Sequence, residues 1–228
     1  MTRLVLFDID GTLVLTGGAG LRALNLACEE LVGHADALAG VPLAGRTDRI
    51  IIHDAMAKIG RELDEDLFEA LKARYITHLA REIHQPGRGT KGVMPGVREL
   101  LETLHRRDDV FQGLLTGNFE DGARIKLGHF GLWQYFRCGA FGDDAADRNA
   151  LVPFALQRAR ACGLTGVSPD RILVVGDTPH DVACAQAVGA VPVGVATGGF
   201  TAEQLRDTGA AVVFQDLRDT DAFLQLLR

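Results

Sequence analysis

The feature that most constrains this chain lies near its start, where the apolar residues Leu4 to Phe7 run directly into Asp8-Ile9-Asp10-Gly11-Thr12. A continuous apolar run of this kind is typical of a strand buried on both faces of a parallel sheet. Residues two apart on a strand point to the same side, so Asp8 and Asp10 are expected to face one space. Two carboxylates held this close need a proton or a cation, and hard oxygen donors suit Mg²⁺. The alternative is a strand that ends in ordinary polar turn residues.

Composition limits the classes of protein that come into question. The 228 residues allow one large domain or a core with an insertion, and the net charge of −6 without a basic block argues against nucleic-acid binding. No apolar run is long enough to span a bilayer, and the first strand begins too early for a signal peptide. The four cysteines are widely spaced, which argues against disulfides or a zinc site and favours a cytoplasmic location.

Residues 17–88 show helical spacing of apolar residues and no strand pattern, with helices expected at about 49–59 and 64–83. Glycine-rich stretches, which are expected to be flexible, flank this block at 16–20 and 86–92. We therefore predict that 17–88 form a helical cap, inserted into a core made of 1–16 and 89–228.

From Val93 onward, strand and helix patterns alternate, which predicts an α/β protein with a parallel sheet covered on both faces. Two further apolar strands end in polar clusters, one at Thr116-Gly117-Asn118 and one at Asp177 to Asp181. Because the carboxyl ends of parallel strands lie along one edge, these clusters are expected to converge with the first acid pair. Together they offer a carboxylate nucleophile, a second carboxylate for proton transfer, phosphate donors and metal ligands, as phosphoryl transfer requires.

The motifs Asp8-x-Asp10-Gly-Thr12, the strand ending in Thr116, and Gly176-Asp177-x-x-x-Asp181 occur in one order across nearly the whole chain. This set resembles the haloacid dehalogenase-like hydrolase superfamily. The helical insertion after the first strand resembles the C1-type cap of phosphoglycolate phosphatase-like members. The resemblance implies a Rossmann-like parallel sheet core with an inserted α-helical cap, and a reaction through an aspartyl phosphate.

The same resemblance implies the catalytic roles. Asp8 would attack phosphorus and carry the phosphoryl group. Asp10 would protonate the leaving oxygen, then deprotonate the attacking water, and its backbone carbonyl would help to bind Mg²⁺.

It also implies the binding roles. Thr116, Gly117 and Asn118 would hold the phosphoryl oxygens. Asp177 would bind the metal together with Asp8, and Asp181 would support it directly or through water.

One position departs from the family pattern, which usually has a lysine between the second and the last motif. The last lysine of the chain is Lys126, which follows Thr116 too closely to be that residue. Arg148 is the preferred replacement, because arginine stays charged and can bind phosphate through two hydrogen bonds. Arg158 and Arg160 are the alternatives.

The predicted function is a Mg²⁺-dependent phosphatase for a small phosphorylated metabolite, acting as a monomer or homodimer. Arg46 and Thr47, in a loop of the insertion, are candidate substrate contacts.

Within the superfamily, a mutase would keep Asp10, a phosphonatase would need a cap lysine such as Lys58 or Lys72, and a dehalogenase would need neither Asp10 nor a metal. A phospho-accepting signalling receiver is the alternative from another class. This chain is far longer than one receiver, and a large insertion follows its acid pair; both features argue against that alternative.

Overall fold

The computed structural model describes residues 2–228 and shows an α/β protein with one six-stranded sheet and one small two-stranded sheet. No helix within 2–228 has both the length and the apolar character needed to cross a membrane. In chain order the elements are β1 (Arg3–Phe7), β2 (Val14–Thr16), α1 (Ala19–Val32), α2 (Asp48–Lys58), α3 (Glu65–Glu82), β3 (Lys91–Val93), α4 (Val97–His105), β4 (Val110–Leu115), α5 (Glu120–His129), β5 (Cys138–Ala140), α6 (Leu151–Ala161), β6 (Ile172–Gly176), α7 (Pro179–Ala187), β7 (Val191–Val195), α8 (Ala202–Asp207), β8 (Val212–Phe214) and α9 (Thr220–Gln225).

The large sheet is parallel throughout and has the strand order β5-β4-β1-β6-β7-β8, which confirms the predicted Rossmann-like fold class. Strand β1 lies in the middle, and Phe7 pairs with Leu114 of β4 and with Val175 of β6. Because these three residues lie level with one another, the residues that follow them emerge at one edge of the sheet.

Strand β1 is buried on both faces, as its apolar run predicts. Val5 and Phe7 belong to the apolar cluster on one face of the sheet, whereas Leu4 and Leu6 belong to the cluster on the other face. All four side chains are fully buried. The strand that leads into the acid pair is therefore packed on both sides, which holds the backbone of Asp8 in place.

The segment 17–88 contains helices α1, α2 and α3, which pack around an apolar cluster of their own. Phe119 and Ile125, from outside the segment, pack with this cluster. Phe119 lies edge-on against Phe68 and Tyr75, with ring centroids 6.0 and 6.3 Å away. The division of the chain into a core and a cap with boundaries at 17 and 88 stays a prediction. Phe119 gives the helical segment an apolar contact next to Thr116 and Asn118.

The two glycine-rich stretches run side by side. Strands β2 and β3 form an antiparallel pair, which the sequence analysis did not predict because three residues carry too little periodicity. Beyond the pair, the Gly17 amide donates to the Thr90 carbonyl at 3.1 Å and the Arg88 amide donates to the Gly17 carbonyl at 3.0 Å. Both connections to the helical segment are thus tied to each other by backbone hydrogen bonds.

Candidate active site

Asp8 is the first residue after β1 and is almost completely buried. Its amide donates to the Val175 carbonyl at 2.9 Å, which fixes its backbone to the neighbouring strand. Burial raises the pKa of its carboxyl to about 6, and the nearby Asp181 and Asp10 add to this rise, whereas Arg148 opposes it. A cation beside Asp8 is therefore needed to keep its carboxylate ionised, as expected for a nucleophile in a metal site.

Arg148 supplies a positive charge at this position. Its Nη2 atom lies 2.9 Å from Asp8 Oδ1 and 2.5 Å from Asp181 Oδ1. Although burial opposes its charge, Asp181 and Asp8 hold the pKa of the guanidinium above its ordinary value. The structure thus brings the preferred replacement for the family's lysine to the expected carboxylates. Of the two alternatives, Arg158 is paired with Asp144 at 2.6 Å.

Three carboxylates form a group that could hold a metal ion. Asp8, Asp177 and Asp181 each offer one oxygen atom, and these atoms lie within 4.8 Å of one another in a buried position. Burial, followed by the charges of Asp8 and Asp181, raises the pKa of Asp177 to about 8. Crowded, buried oxygen donors of this kind fit a hard divalent cation, which would offset their mutual repulsion.

Two hydroxyl groups orient the members of this group. Thr12 Oγ1 donates to Asp177 Oδ1 at 2.9 Å, so this threonine positions a candidate metal ligand in addition to its place in the turn. Asp181 Oδ2 accepts from the Thr178 amide at 3.0 Å and from Thr178 Oγ1 at 2.8 Å. Both oxygens of Asp181 therefore already have partners, since Oδ1 accepts from Arg148. This arrangement favours the supporting role for Asp181 over direct ligation.

The Asp10 carboxylate lies apart from the group of three. Its Oδ2 atom accepts from Asn118 Nδ2 at 2.9 Å and from Lys126 Nζ at 2.6 Å. The side chain is 41% exposed, in contrast to the buried Asp8. The two predicted carboxylates of the first motif thus face different surroundings: one lies in the metal group and the other lies among hydrogen-bond donors.

Thr116 and Asn118 follow β4 at the same edge of the sheet. The Thr116 hydroxyl is fully buried and accepts from Asn118 Nδ2 at 2.8 Å. Asn118 does not act as the N-cap of α5, a position that Phe119 occupies. Between them, Gly117 lies so close to the helical segment that a Cβ atom built on it would overlap the Arg46 carbonyl oxygen. All three residues line a cavity between the sheet edge and the helical segment.

Of the two candidate substrate contacts in the insertion, only Arg46 lines the cavity. Its guanidinium is already paired with Asp54 at 2.7 Å. Thr47 is buried, donates to the Ala146 carbonyl at 2.8 Å, and accepts from the Ile50 amide at 3.3 Å as the N-cap of α2. The hydroxyl therefore has no proton left to donate to a substrate, because it carries only one. Thr47 therefore serves the loop's structure in this arrangement.

Lys126 is a site residue that the sequence analysis set aside. It projects from α5, is 5% exposed, and its Nζ atom lies 2.6 Å from both Asp10 Oδ2 and Asn118 Oδ1. Lys126 follows Thr116 too closely to be the lysine of the family pattern. The sequence analysis expected a cation only at the position of that lysine. A single lysine on a largely buried face of a helix is the signal that could have found it.

A cavity of about 530 Å³ lies between the sheet edge and the helical segment, and the candidate catalytic side chains open into it. Lys58 and Lys72, which a phosphonatase could use, do not line this cavity. Lys72 is instead paired with Asp143 at 2.5 Å. The polar lining on the sheet side includes Asp8, Asp10, Thr116, Asn118, Lys126, Arg148, Asp177, Thr178 and Thr197.

Comparisons with known proteins bear on the family and the fold of this chain. Residues 5–195 match the family model described as haloacid dehalogenase-like hydrolase, so the chain belongs to that family. It is 33% identical to a phosphoglycolate phosphatase of Rhodospirillum rubrum over 95% of this chain and 88% of that protein. It is 30% identical to the tyrosine-protein kinase PtkA of Mycobacterium tuberculosis over 92% of this chain and 68% of that protein. The crystal structure of a predicted phosphoglycolate phosphatase from Haemophilus somnus has the same fold, with a TM-score of 0.73, 23% identity and 98% coverage of both chains.

Within this family the chain is a phosphatase, that is, a phosphoric monoester hydrolase. The prediction that the chain is a phosphatase is thereby confirmed, and a phosphatase is favoured over a phospho-accepting signalling receiver.

Proposed function

We propose that the chain hydrolyses a small phosphorylated metabolite, of the phosphoglycolate or sugar phosphate kind, with the help of Mg²⁺ and through an aspartyl phosphate on Asp8. The observation that carries this proposal is the buried group of Asp8, Asp177 and Asp181, whose offered oxygens lie within 4.8 Å of one another. The phosphoglycolate phosphatase relatives support the substrate class. A cytoplasmic location and a monomeric or homodimeric state stay predictions from the sequence.

In the first step, an oxygen of Asp8 attacks phosphorus while the bond between phosphorus and the ester oxygen breaks. The electron pair of that bond goes to the leaving oxygen, which takes a proton from Asp10. Asp10 suits this role because its carboxylate lies outside the metal group and is open to the cavity. Mg²⁺, held by Asp8 and Asp177 with support from Asp181, would offset the negative charge of the phosphoryl group.

In the second step, water attacks the phosphorus of the aspartyl phosphate and gives its proton to Asp10. The bond between phosphorus and the Asp8 oxygen breaks, inorganic phosphate leaves, and both carboxyl groups return to their starting states. Thr116 and the amides that follow it are the donors at the sheet edge that can hold the phosphoryl oxygens. Arg148 keeps Asp8 ionised and oriented for the attack in the first step, and it stabilises the carboxylate that is released again in the second step.

The test is phosphate release from a panel of phosphate monoesters, with Mg²⁺ and with a chelator, using the native chain and Asp8→Asn. We expect the native chain to need the metal and Asp8→Asn to lose at least about 1000-fold in kcat, because the nucleophile is gone. Asp121→Asn, on the exposed surface of α5, serves as the matched control and should keep native activity. Near-native turnover by Asp8→Asn would refute the proposal.

The panel also separates hydrolysis from phosphate transfer between sugars. A phosphatase releases inorganic phosphate from each turnover, whereas a mutase returns the phosphoryl group to a second hydroxyl and releases little. Hydroxylamine trapping of the phosphorylated carboxylate in the native chain, absent in Asp8→Asn, would identify the intermediate.

A further inference from the structure

Lys126 and Asn118 donate to the same oxygen of Asp10. Lys126 Nζ lies 2.6 Å and Asn118 Nδ2 lies 2.9 Å from Asp10 Oδ2. Within residues 2–228, no donor contacts the other oxygen, Oδ1. The carboxylate is therefore anchored through one oxygen, and the second oxygen is left to handle a proton.

Lys126 also anchors its partner in this pair. Its ammonium donates to Asn118 Oδ1 at 2.6 Å, which determines the orientation of the amide because only the oxygen end can accept. With its oxygen turned to Lys126, Asn118 presents its Nδ2 atom to both Asp10 and Thr116, at 2.9 and 2.8 Å. The ammonium group thus contacts Asp10 and Asn118 directly, and Asn118 in turn donates to the Asp10 oxygen that the ammonium holds.

The buried charge of Lys126 is matched by polar partners at the site, because its ammonium donates to Asp10 and to Asn118. Its side chain is 6% exposed, and burying an ammonium group costs several kcal/mol unless charged and polar partners surround it. Asp10, in contrast, is 41% exposed, so its carboxylate could be solvated by water without the lysine. A structural ion pair therefore gains little here from Asp10, whereas the order imposed on that carboxylate is specific.

We propose that Lys126 is a positioning residue for the acid and base of the reaction: it fixes Asp10 through Oδ2, so that Oδ1 faces the leaving oxygen and later the attacking water. This inference rests on the proposed function of Asp10. Lys126 itself need not touch the phosphoryl group, which Asp8, Thr116 and Arg148 surround.

The first test compares the native chain with Lys126→Met, which keeps the length and apolar part of the side chain. For a phosphate ester of an alkyl alcohol, we expect kcat to fall about 10- to 100-fold with KM changed by less than about 3-fold, a part of the 100- to 10 000-fold that proton transfer contributes. Arg124→Met removes an exposed charge from the same helix, and should leave kcat within about 2-fold.

The second test uses 4-nitrophenyl phosphate, whose leaving group needs little protonation. In Lys126→Met, the first release of nitrophenolate should stay within about 3-fold of the native rate, because that step depends little on the acid. Later turnovers should be slow, since hydrolysis of the intermediate still needs the base. The variant should therefore show a burst of nitrophenolate equal to the amount of enzyme. Equal loss of the first release for both esters, or no loss for either, would overturn the inference.

The effect of removing Lys126 should be reversed by an added cation and should depend on the presence of Asp10. In Lys126→Ala, added ethylammonium should restore at least about 5-fold of the lost kcat, because the cavity gives a small cation access to Asp10. In an Asp10→Asn background, Lys126→Met should cost less than about 2-fold more, since the group that it positions is gone. If Asp10→Asn itself turns over alkyl phosphates at the native rate, the proposed role of Asp10 fails. If Asp10→Asn is impaired and Lys126→Met is not, only the inference about Lys126 fails.

Discussion

Arg148 binds Asp8 through the same nitrogen that it offers to Asp181: Nη2 lies 2.9 Å from Asp8 Oδ1 and 2.5 Å from Asp181 Oδ1. The guanidinium therefore holds the candidate nucleophile and the supporting acid together. Both acids are almost fully buried, so each depends on this charge.

Replacing Arg148 by Met should lower kcat about 100- to 1000-fold, because a preorganised charge at the reacting group is lost. The free energy of unfolding should fall by about 3 kcal/mol, since the buried carboxylates of Asp8 and Asp181 lose the cation that they share. Steady-state kinetics and urea denaturation measure the two effects. Arg148→Lys keeps the charge and should recover part of both, and near-native turnover by Arg148→Met would show that another cation serves Asp8.

Gly198 should be required for the position of Asp177. A Cβ atom built on Gly198 would overlap Asp177 Oδ2, whereas one built on Gly199 would have no neighbour within 4 Å. We expect Gly198→Ala to raise the Mg²⁺ concentration for half-maximal activity about 10-fold or more, because the displaced carboxylate is a candidate ligand. Gly199→Ala is the matched control, with the same added methyl group one residue later. Equal metal dependence of the two variants would contradict the assignment of Asp177.

The sequence predicts the sheet and the acids well because both depend on local pattern. Strands β1 and β6 are continuous apolar runs, and parallel pairing places the residues after them at one edge whatever the rest of the chain does. Asp8 and Asp177 come together for that reason. Arg148 lies in the segment before α6 and is expected at the site from the need for charge balance.

Other parts of the site depend on side-chain direction, which pattern does not supply. Lys126 is buried because it lies among the buried residues of α5, next to Leu127. The Thr47 hydroxyl is engaged because it donates at 2.8 Å to the carbonyl of Ala146, which lies in a distant loop. The hydrogen bonds between Gly17 and Arg88 likewise join residues far apart in the chain. None of these contacts leaves a periodic signal in the sequence.

Asp48 should make the stability of the protein depend on pH. Its Oδ2 atom accepts from the Phe119 amide at 2.9 Å and its amide donates to the Gly117 carbonyl at 2.7 Å, which joins α2 to the site. Burial raises the pKa of its carboxyl to about 6, although Lys126 opposes this rise. A raised pKa in the folded state stabilises the protein at low pH, and this contribution is lost as the pH rises from about 4 through about 6.

Asp48→Asn keeps an oxygen for the Phe119 amide and removes the charge. We expect it to raise the free energy of unfolding by about 1 to 2 kcal/mol at pH 7.5 and to leave it nearly unchanged at pH 4, as measured by urea denaturation. Glu69→Gln, at an exposed position of α3, is the control and should show no such difference. A stabilisation that is larger at pH 4 than at pH 7.5 would contradict the sign.

Arg88, rather than Arg46, should recognise an anionic group on the leaving part of the substrate. Both line the cavity, but Arg46 is paired with Asp54, whereas Arg88 has no acidic partner within residues 2–228. Its backbone is fixed by the hydrogen bond to Gly17. A charged hydrogen bond contributes about 1.5 to 3 kcal/mol, so Arg88→Met should raise KM for phosphoglycolate at least about 10-fold.

For a phosphate ester with an uncharged leaving group, Arg88→Met should change KM by less than about 3-fold, because no anion contacts the guanidinium. Arg46→Met is the matched comparison and should affect the two substrates alike, since its charge is already satisfied by Asp54. If Arg88→Met raised KM equally for both substrates, Arg88 would instead serve the connection between the helical segment and the sheet. If Arg46→Met raised KM for phosphoglycolate alone, Arg46 would be the residue that recognises the anionic group.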